Sequence, residues 1–146
     1  MSAPNEPTYG FEEIDRCFDL YPLPLQLPDY VRNHWRVREV CVHVLHRMPK
    51  EATHLILSTA FVCWVGGGRS WTGRPEGRCR LVLLDPRLPC YSCDMVTGIV
   101  AHEFAHVVLG HERGGTKAED KADCLAGEWG FGREIAAVRA GLPPPR

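Results

Sequence analysis

Residues 100–111 read VAHEFAHVVLGH, an apolar helical run interrupted by histidines and a glutamate. Ionisable groups among Val, Ala, Phe and Leu are costly to bury unless they are paired or bind a metal. The run therefore dictates either a central helix whose polar groups meet a common partner, or a helix that never faces a core. His102 and His106 are four apart, one above the other on one helical face. Their imidazoles can bind one ion. Zinc is the metal expected, because it accepts neutral imidazole nitrogen in a tetrahedral site. Glu103, beside the first ligand, is placed to take a proton from a water activated there. Ile99, Val100, Phe104, Ala105, Val107 and Val108 carry no charge, so the helix can be buried and the site kept dry. His102 and His106 are the expected metal ligands and Glu103 the expected catalytic base. The competing reading is two histidines satisfied by other partners.

At 146 residues, 45% hydrophobic and 24% charged, the chain suits a single domain with a real core. With a net charge of −1, nothing global argues for nucleic acid or an anionic membrane as the main partner. Between Arg32 and Arg87 there are ten Lys/Arg against four Asp/Glu, a bias that reads as solvated surface. The start, MSAPNEPTYGFEEIDR, lacks the basic and apolar regions of a signal peptide. The longest mostly apolar run, Leu55 to Val65, has eleven residues and is too short to span a bilayer. Seven cysteines, an odd number, read as reduced thiols when no export signal accompanies them. A cytoplasmic protein without a membrane span is expected, and nothing in the pattern specifies an oligomer.

Residues 1–28 form a Pro-rich N-terminal segment with five prolines. Within it FEEIDRCF can make one or two helical turns, and YPLPLQLP is held extended. Residues 29–142 form the domain proper. Asp29 is placed to cap a helix running to about Met48, with Val37, Val40, Cys41, Val44, Leu45 and Met48 as its apolar stripe. THLILSTAFVCWV, residues 53–65, is β-branched and aromatic enough for a strand or two, and GGG at 66–68 ends it. RCRLVLLDP, residues 78–86, is a second strand. Asp94 is expected to cap the histidine-bearing helix and Gly110 to end it. A last helical stretch runs from about Lys117 towards Ala140, broken by Gly127, Gly130 and Gly132. The order helix, short sheet, helix, helix predicts a small α+β domain.

A catalytic zinc takes a third protein ligand. The pattern HExxHxxGxxH fails, because its last positions are Leu109 and Glu112. In the gluzincin class the third ligand is a glutamate on a following helix, and residues 119–123 read EDKAD. Glu119 and Asp123 share a helical face with Ala122 and Ala126, small residues that permit close approach. Glu119 is the expected third ligand. Asp123 is expected to orient a liganding histidine through its other ring nitrogen. The alternative is a solvated, charged first turn favoured by the helix dipole.

HEFAHVVLGHER followed by EDKAD resembles the gluzincin metallopeptidases, particularly the HtpX-like and CAAX-prenyl-protease group. Their motifs have the shape HExxHxxxxH and ExxxD. His102, Glu103, His106, His111, Glu119 and Asp123 each fall on a motif position. STAFVCWVGGG, residues 58–68, is similar to an upstream segment of that group, without its asparagine. Those enzymes have transmembrane helices and a long insertion between the motifs, whereas twelve residues separate His106 from Glu119 here. The similarity covers the catalytic core, roughly residues 55–130, and extends to small soluble domains of the ImmA/IrrE type. It implies a zincin-like fold: a short sheet packed on helices, an HExxH helix and a following glutamate helix.

Other residues carry weaker signals. His111 could return toward the metal as an orienting group or oxyanion donor, or serve packing. Cys90 and Cys93 form a CxxC that Cys79 could join in a structural zinc site, though no second CxxC exists. Cys17 could reach the cleft as an inhibitory thiolate, but a lone cysteine is usually a small hydrophobe. Trp64, Trp71 and Trp129 read as core or cleft wall. The expectation is a zinc-dependent peptidase in which Glu103 is the general base and the metal stabilises the oxyanion. A peptide or protein substrate would add to the strand at 80–85. The alternative is a non-catalytic zinc-containing binding or regulatory domain that retains a peptidase fold. No helix-turn-helix or added zinc finger marks the chain for direct reading of nucleic acid.

Overall fold

The computed structural model describes residues 9–22, 30–64, 71–73, 80–85, 87–111 and 115–141. It is α+β, with six helices and four strands among the described residues. Helix α1 (Phe11–Cys17) leads into strand β1 (Leu20–Pro22), then α2 (Tyr30–Arg47) and α3 (Lys50–Thr59). Strands β2 (Ala60–Trp64), β3 (Trp71–Gly73) and β4 (Arg80–Leu84) follow, then α4 (Cys93–Leu109), α5 (Thr116–Ala126) and α6 (Gly132–Gly141).

The sheet order is β1-β2-β4-β3. β1, β2 and β4 are parallel, and β3 runs antiparallel on the outside of β4. In register, Leu20 meets Val62, Val62 meets Val82, and Trp64 meets Leu84. These residues are all buried, so alternate positions along each strand supply one apolar face. Trp64 is core, and its indole N–H donates to the Asp85 carbonyl at 3.1 Å. The Pro-rich lead-in shares this core: Ile14, Phe18 and Leu20 are buried, and β1 pairs with β2.

The apolar stripe of α2 is buried at Val37, Cys41, Val44, Leu45 and Met48, with Val42 joining it and Val40 half-buried. Asp29, its expected cap, lies outside the described residues. The stretch expected as strand from residue 53 is helical as far as Thr59. Ala52, Thr53 and Ile56 are buried on one side, while Glu51, His54 and Ser58 are exposed, a helical rather than an alternating period. The β-favouring hydroxyl residues also find partners inside the helix. Thr59 Oγ1 donates to the Leu55 carbonyl at 2.6 Å and Ser58 Oγ to the His54 carbonyl at 2.7 Å. Thr53 Oγ1 donates to the Leu45 carbonyl at 2.6 Å, tying the start of α3 to the end of α2.

Helix α4 is the centre of the molecule, packed against α2, α3, α5, α6, β3 and β4. Its cap is Ser92, not Asp94: the Ser92 hydroxyl accepts the Met95 N–H at 3.2 Å. Asp94 sits in the first turn, where its charge suits the helix dipole. Gly110 ends α4 in the left-handed region at φ 73°, a conformation glycine adopts without steric cost. The His111 N–H then donates back to the His106 carbonyl at 3.1 Å. Past α5, only Gly130 leaves helical geometry, at φ 98°. Gly127 and Gly132 stay helical. Arg47 locks this break, donating to the Gly130 carbonyl and to the buried Glu134 carboxylate, both at 3.0 Å.

Candidate metal centre

Helix α4 brings His102, Glu103 and His106 to a buried position, and α5 lays Glu119 and Asp123 across them. Glu119 Oε2 lies 2.8 Å from His102 Nε2, and Glu119 Oε1 lies 3.0 Å from His106 Nε2. The two Nε2 atoms are 3.0 Å apart, with the rings nearly perpendicular at 89°. His102, His106 and Glu119 thus form a group that could hold a metal ion. The histidine side chains are 9% and 7% exposed and that of Glu119 is 41% exposed, so access is from the glutamate side.

Each of the two rings is held at its far nitrogen. Asp123 Oδ1 lies 2.7 Å from His102 Nδ1, where the ring N–H donates to the carboxylate. His106 Nδ1 lies 2.9 Å from His111 Nδ1, a pair that shares one proton. The turn at Gly110 thus returns His111 to the His106 ring. The His111 pKa is lowered by burial and by the nearby His106.

The protonation states decide what fits at the centre. His102 faces a carboxylate oxygen at both ring nitrogens, yet a neutral imidazole has only one N–H. Either the ring is an imidazolium or a cation takes the place of its second proton. Burial opposes the imidazolium, but the hydrogen bond to Glu119 and the charges of Glu103, Glu119 and Asp123 outweigh it, and the pKa is raised. The hydrogen bonds from His102 and His106 hold the Glu119 carboxyl far below the usual carboxylate range. The donor set fits a metal. Tetrahedral bonds of about 2.0–2.1 Å would set the donor atoms about 3.3 Å apart, a few tenths of an ångström beyond the spacing here.

Two arginines join this assembly: Arg80, read from the sequence as solvated surface charge, and Arg139, which no sequence signal marked. Arg139 on α6 donates from Nε to Asp123 Oδ2 at 2.8 Å and from Nη2 to Oδ1 at 2.7 Å. Arg80, buried at the start of β4, donates from Nη1 to the His111 carbonyl at 2.8 Å. No local spacing links 139 to 123 or 80 to 111, and only a long-range ion-pair guess could have found them. Other members of the basic middle are also paired, Arg38 with Asp15, Arg47 with Glu134 and Arg87 with Asp85.

The strand expected to receive substrate is corrected as well. β4 lies between β2 and β3, so both its edges are used. The antiparallel outer strand β3 packs near α4.

No family model, curated protein or solved structure matches this chain. Cys90 and Cys93 are exposed and unpaired, as is Cys17, and Cys79 lies outside the described residues. Among the described residues, the one metal-capable group is His102, His106 and Glu119. Trp129 is half-buried against the core, and the Trp71 side chain lies outside the described set. No helix among the described residues is long and apolar enough to cross a membrane.

Proposed function

We propose that the protein is a zinc-dependent peptidase of the gluzincin kind. The observation that carries this reading is His102, caught between two carboxylates beside a second inward-facing imidazole, with Glu103 buried next to it. A site that merely stores a metal has no use for a buried carboxylate adjacent to its ligands. His102, His106 and Glu119 would hold zinc, whose donor preferences match two imidazoles and a carboxylate with one position left open. Bound there, zinc supplies Lewis acidity toward a carbonyl oxygen and toward water.

The rest of the chemistry belongs to the chain. Glu103 accepts the proton of the attacking water at its carboxylate and passes it to the departing amine nitrogen. Asp123 keeps the His102 Nδ1–H in place, and His111 does the same for His106, so both rings present their Nε2 lone pairs inward. The outer strand β3, antiparallel and near α4, is the edge an extended peptide can extend by main-chain hydrogen bonds. A short sheet with such an edge, an HExxH helix and a glutamate helix together support a zincin-like reading of the fold.

The test is Glu103→Gln, assayed on a mixed peptide library read by mass spectrometry. Zinc content and melting temperature should match wild type, and cleavage should fall by about 10²–10⁴-fold. Cleavage at the wild-type rate in Glu103→Gln would refute the mechanism.

A further inference from the structure

Asp123 is gripped from outside the centre by a fork of two donors. Its Oδ1 accepts both His102 Nδ1–H, at 2.7 Å, and Arg139 Nη2, at 2.7 Å, while its Oδ2 accepts Arg139 Nε at 2.8 Å. A carboxylate on a two-bond side chain can turn about its last bond, and that freedom would let His102 swing. Two parallel N–H donors remove it, because a planar guanidinium matches a carboxylate in one orientation. The chain is continuous: α6 holds Asp123 of α5, and Asp123 holds His102 of α4.

We propose that Arg139 is a positioning residue for the metal centre, setting the His102 ring through Asp123. This rests on the reading of His102, His106 and Glu119 as metal ligands, and not on the peptidase activity. The alternative is that Arg139 simply joins α6 to α5. The two differ in sign as well as size. Arg139 carries positive charge near a cation site, so its charge alone disfavours the metal, and at 48% side-chain exposure that effect is well screened. Removing it should tighten metal binding slightly if charge is all that matters. If it positions Asp123, removing it weakens binding despite the lost repulsion.

The experiment measures zinc affinity of the full chain by competition with a chromogenic chelator, and records the visible spectrum of the Co²⁺-loaded protein. Arg139→Met should weaken zinc by about tenfold, the lower end of the 10–100-fold range for groups that orient a ligand, and should shift the Co²⁺ bands. Arg139→Lys keeps the charge but not the fork and should remain weakened. Asp123→Ala should weaken zinc further, and adding Arg139→Met to it should change the affinity no more. If Arg139→Met does not fold, Arg139→Gln is read in the same way. Zinc affinity and Co²⁺ spectrum unchanged in Arg139→Met, with wild type loading normally, overturn the proposal and leave the ligand assignment standing. A wild type that loads neither metal overturns the ligand assignment and the role of Arg139 together.

Discussion

Gly98 of α4 and Glu134 of α6 face each other so closely that a Cβ on Gly98 would lie 2.5 Å from the Glu134 carbonyl oxygen and 2.7 Å from Val138 Cγ2. Glycine lets the two helices touch backbone to backbone, and the same contact seats α6 where Arg139 reaches Asp123. A residue with no functional group is thereby tied to the placement of His102.

Gly98→Ala should destabilise the fold, since the methyl meets backbone rather than a flexible side-chain end. The expected cost is about 1–3 kcal/mol, typical of overpacking, measured by urea denaturation of the metal-free protein. The substitution should also weaken zinc, because α6 must move outward. A stability within about 0.5 kcal/mol of wild type, the range of neutral surface changes, would mean that the helices part without cost.

Purified protein should hold about one zinc per chain, as three protein ligands and an open position imply. His102→Ala and His106→Ala should each lose the metal, and Glu119→Ala should weaken it strongly. Elemental analysis of the variants decides this. If Glu119→Ala retains zinc like wild type, the third ligand is elsewhere.

Metal binding should depend on pH through His102. Its pKa is raised above the ordinary 6.5, so the proton that zinc must displace begins to compete at a pH above that value. Glu119 stays ionised throughout, its pKa being lowered. In the metal-free protein the raised histidine contributes stability below 6.5 that is lost as pH rises through its folded pKa. The lowered Glu119 contributes stability above 4.5 that is lost as pH falls through its folded pKa. The pair is therefore worth most between 4.5 and 6.5, where zinc has most competition. Zinc should raise the melting temperature far more at pH 8 than at pH 5.5, about one and a half units above and about one unit below the ordinary histidine value. An equal rise at both values would contradict the protonation scheme.

His111→Ala should weaken zinc by about tenfold while leaving it bound, as expected when a ligand loses its orienting partner. Arg80→Met should do the same through the His111 carbonyl, and should also cost about 1–3 kcal/mol of stability, because it leaves a carbonyl short of a charged donor. Chelator competition and urea denaturation on the same samples separate the two effects. His111→Ala with wild-type affinity would assign that ring to packing alone.

The metal-capable group was legible because the information is local. A helix fixes which residues share a face, so the four-residue spacings of His102 with His106 and of Glu119 with Asp123 survive any tertiary arrangement. The apolar stripe of α2 and the glycine stop of α4 are local in the same sense. The reading failed where two local rules competed. Residues 53–59 satisfy β propensity, and burial of Ala52, Thr53 and Ile56 on one side decided for helix. Ser92 and Asp94 both suit a cap, and the hydroxyl at the right backbone position won.

Other features have no local trace at all. Which strand stands at the edge of the sheet depends on pairing order, and that order places β4 inside and β3 outside. Arg139 and Arg80 look like any surface arginine until α6 and β4 are packed against the ends of α5 and α4. The sequence by itself determined which atoms can bind a metal, because side-chain chemistry and helical spacing travel with the chain. Tertiary structure alone decided how firmly those atoms are held, because that depends on contacts between residues far apart in the chain, such as the grip of α6 on Asp123 beside the close approach at Gly98.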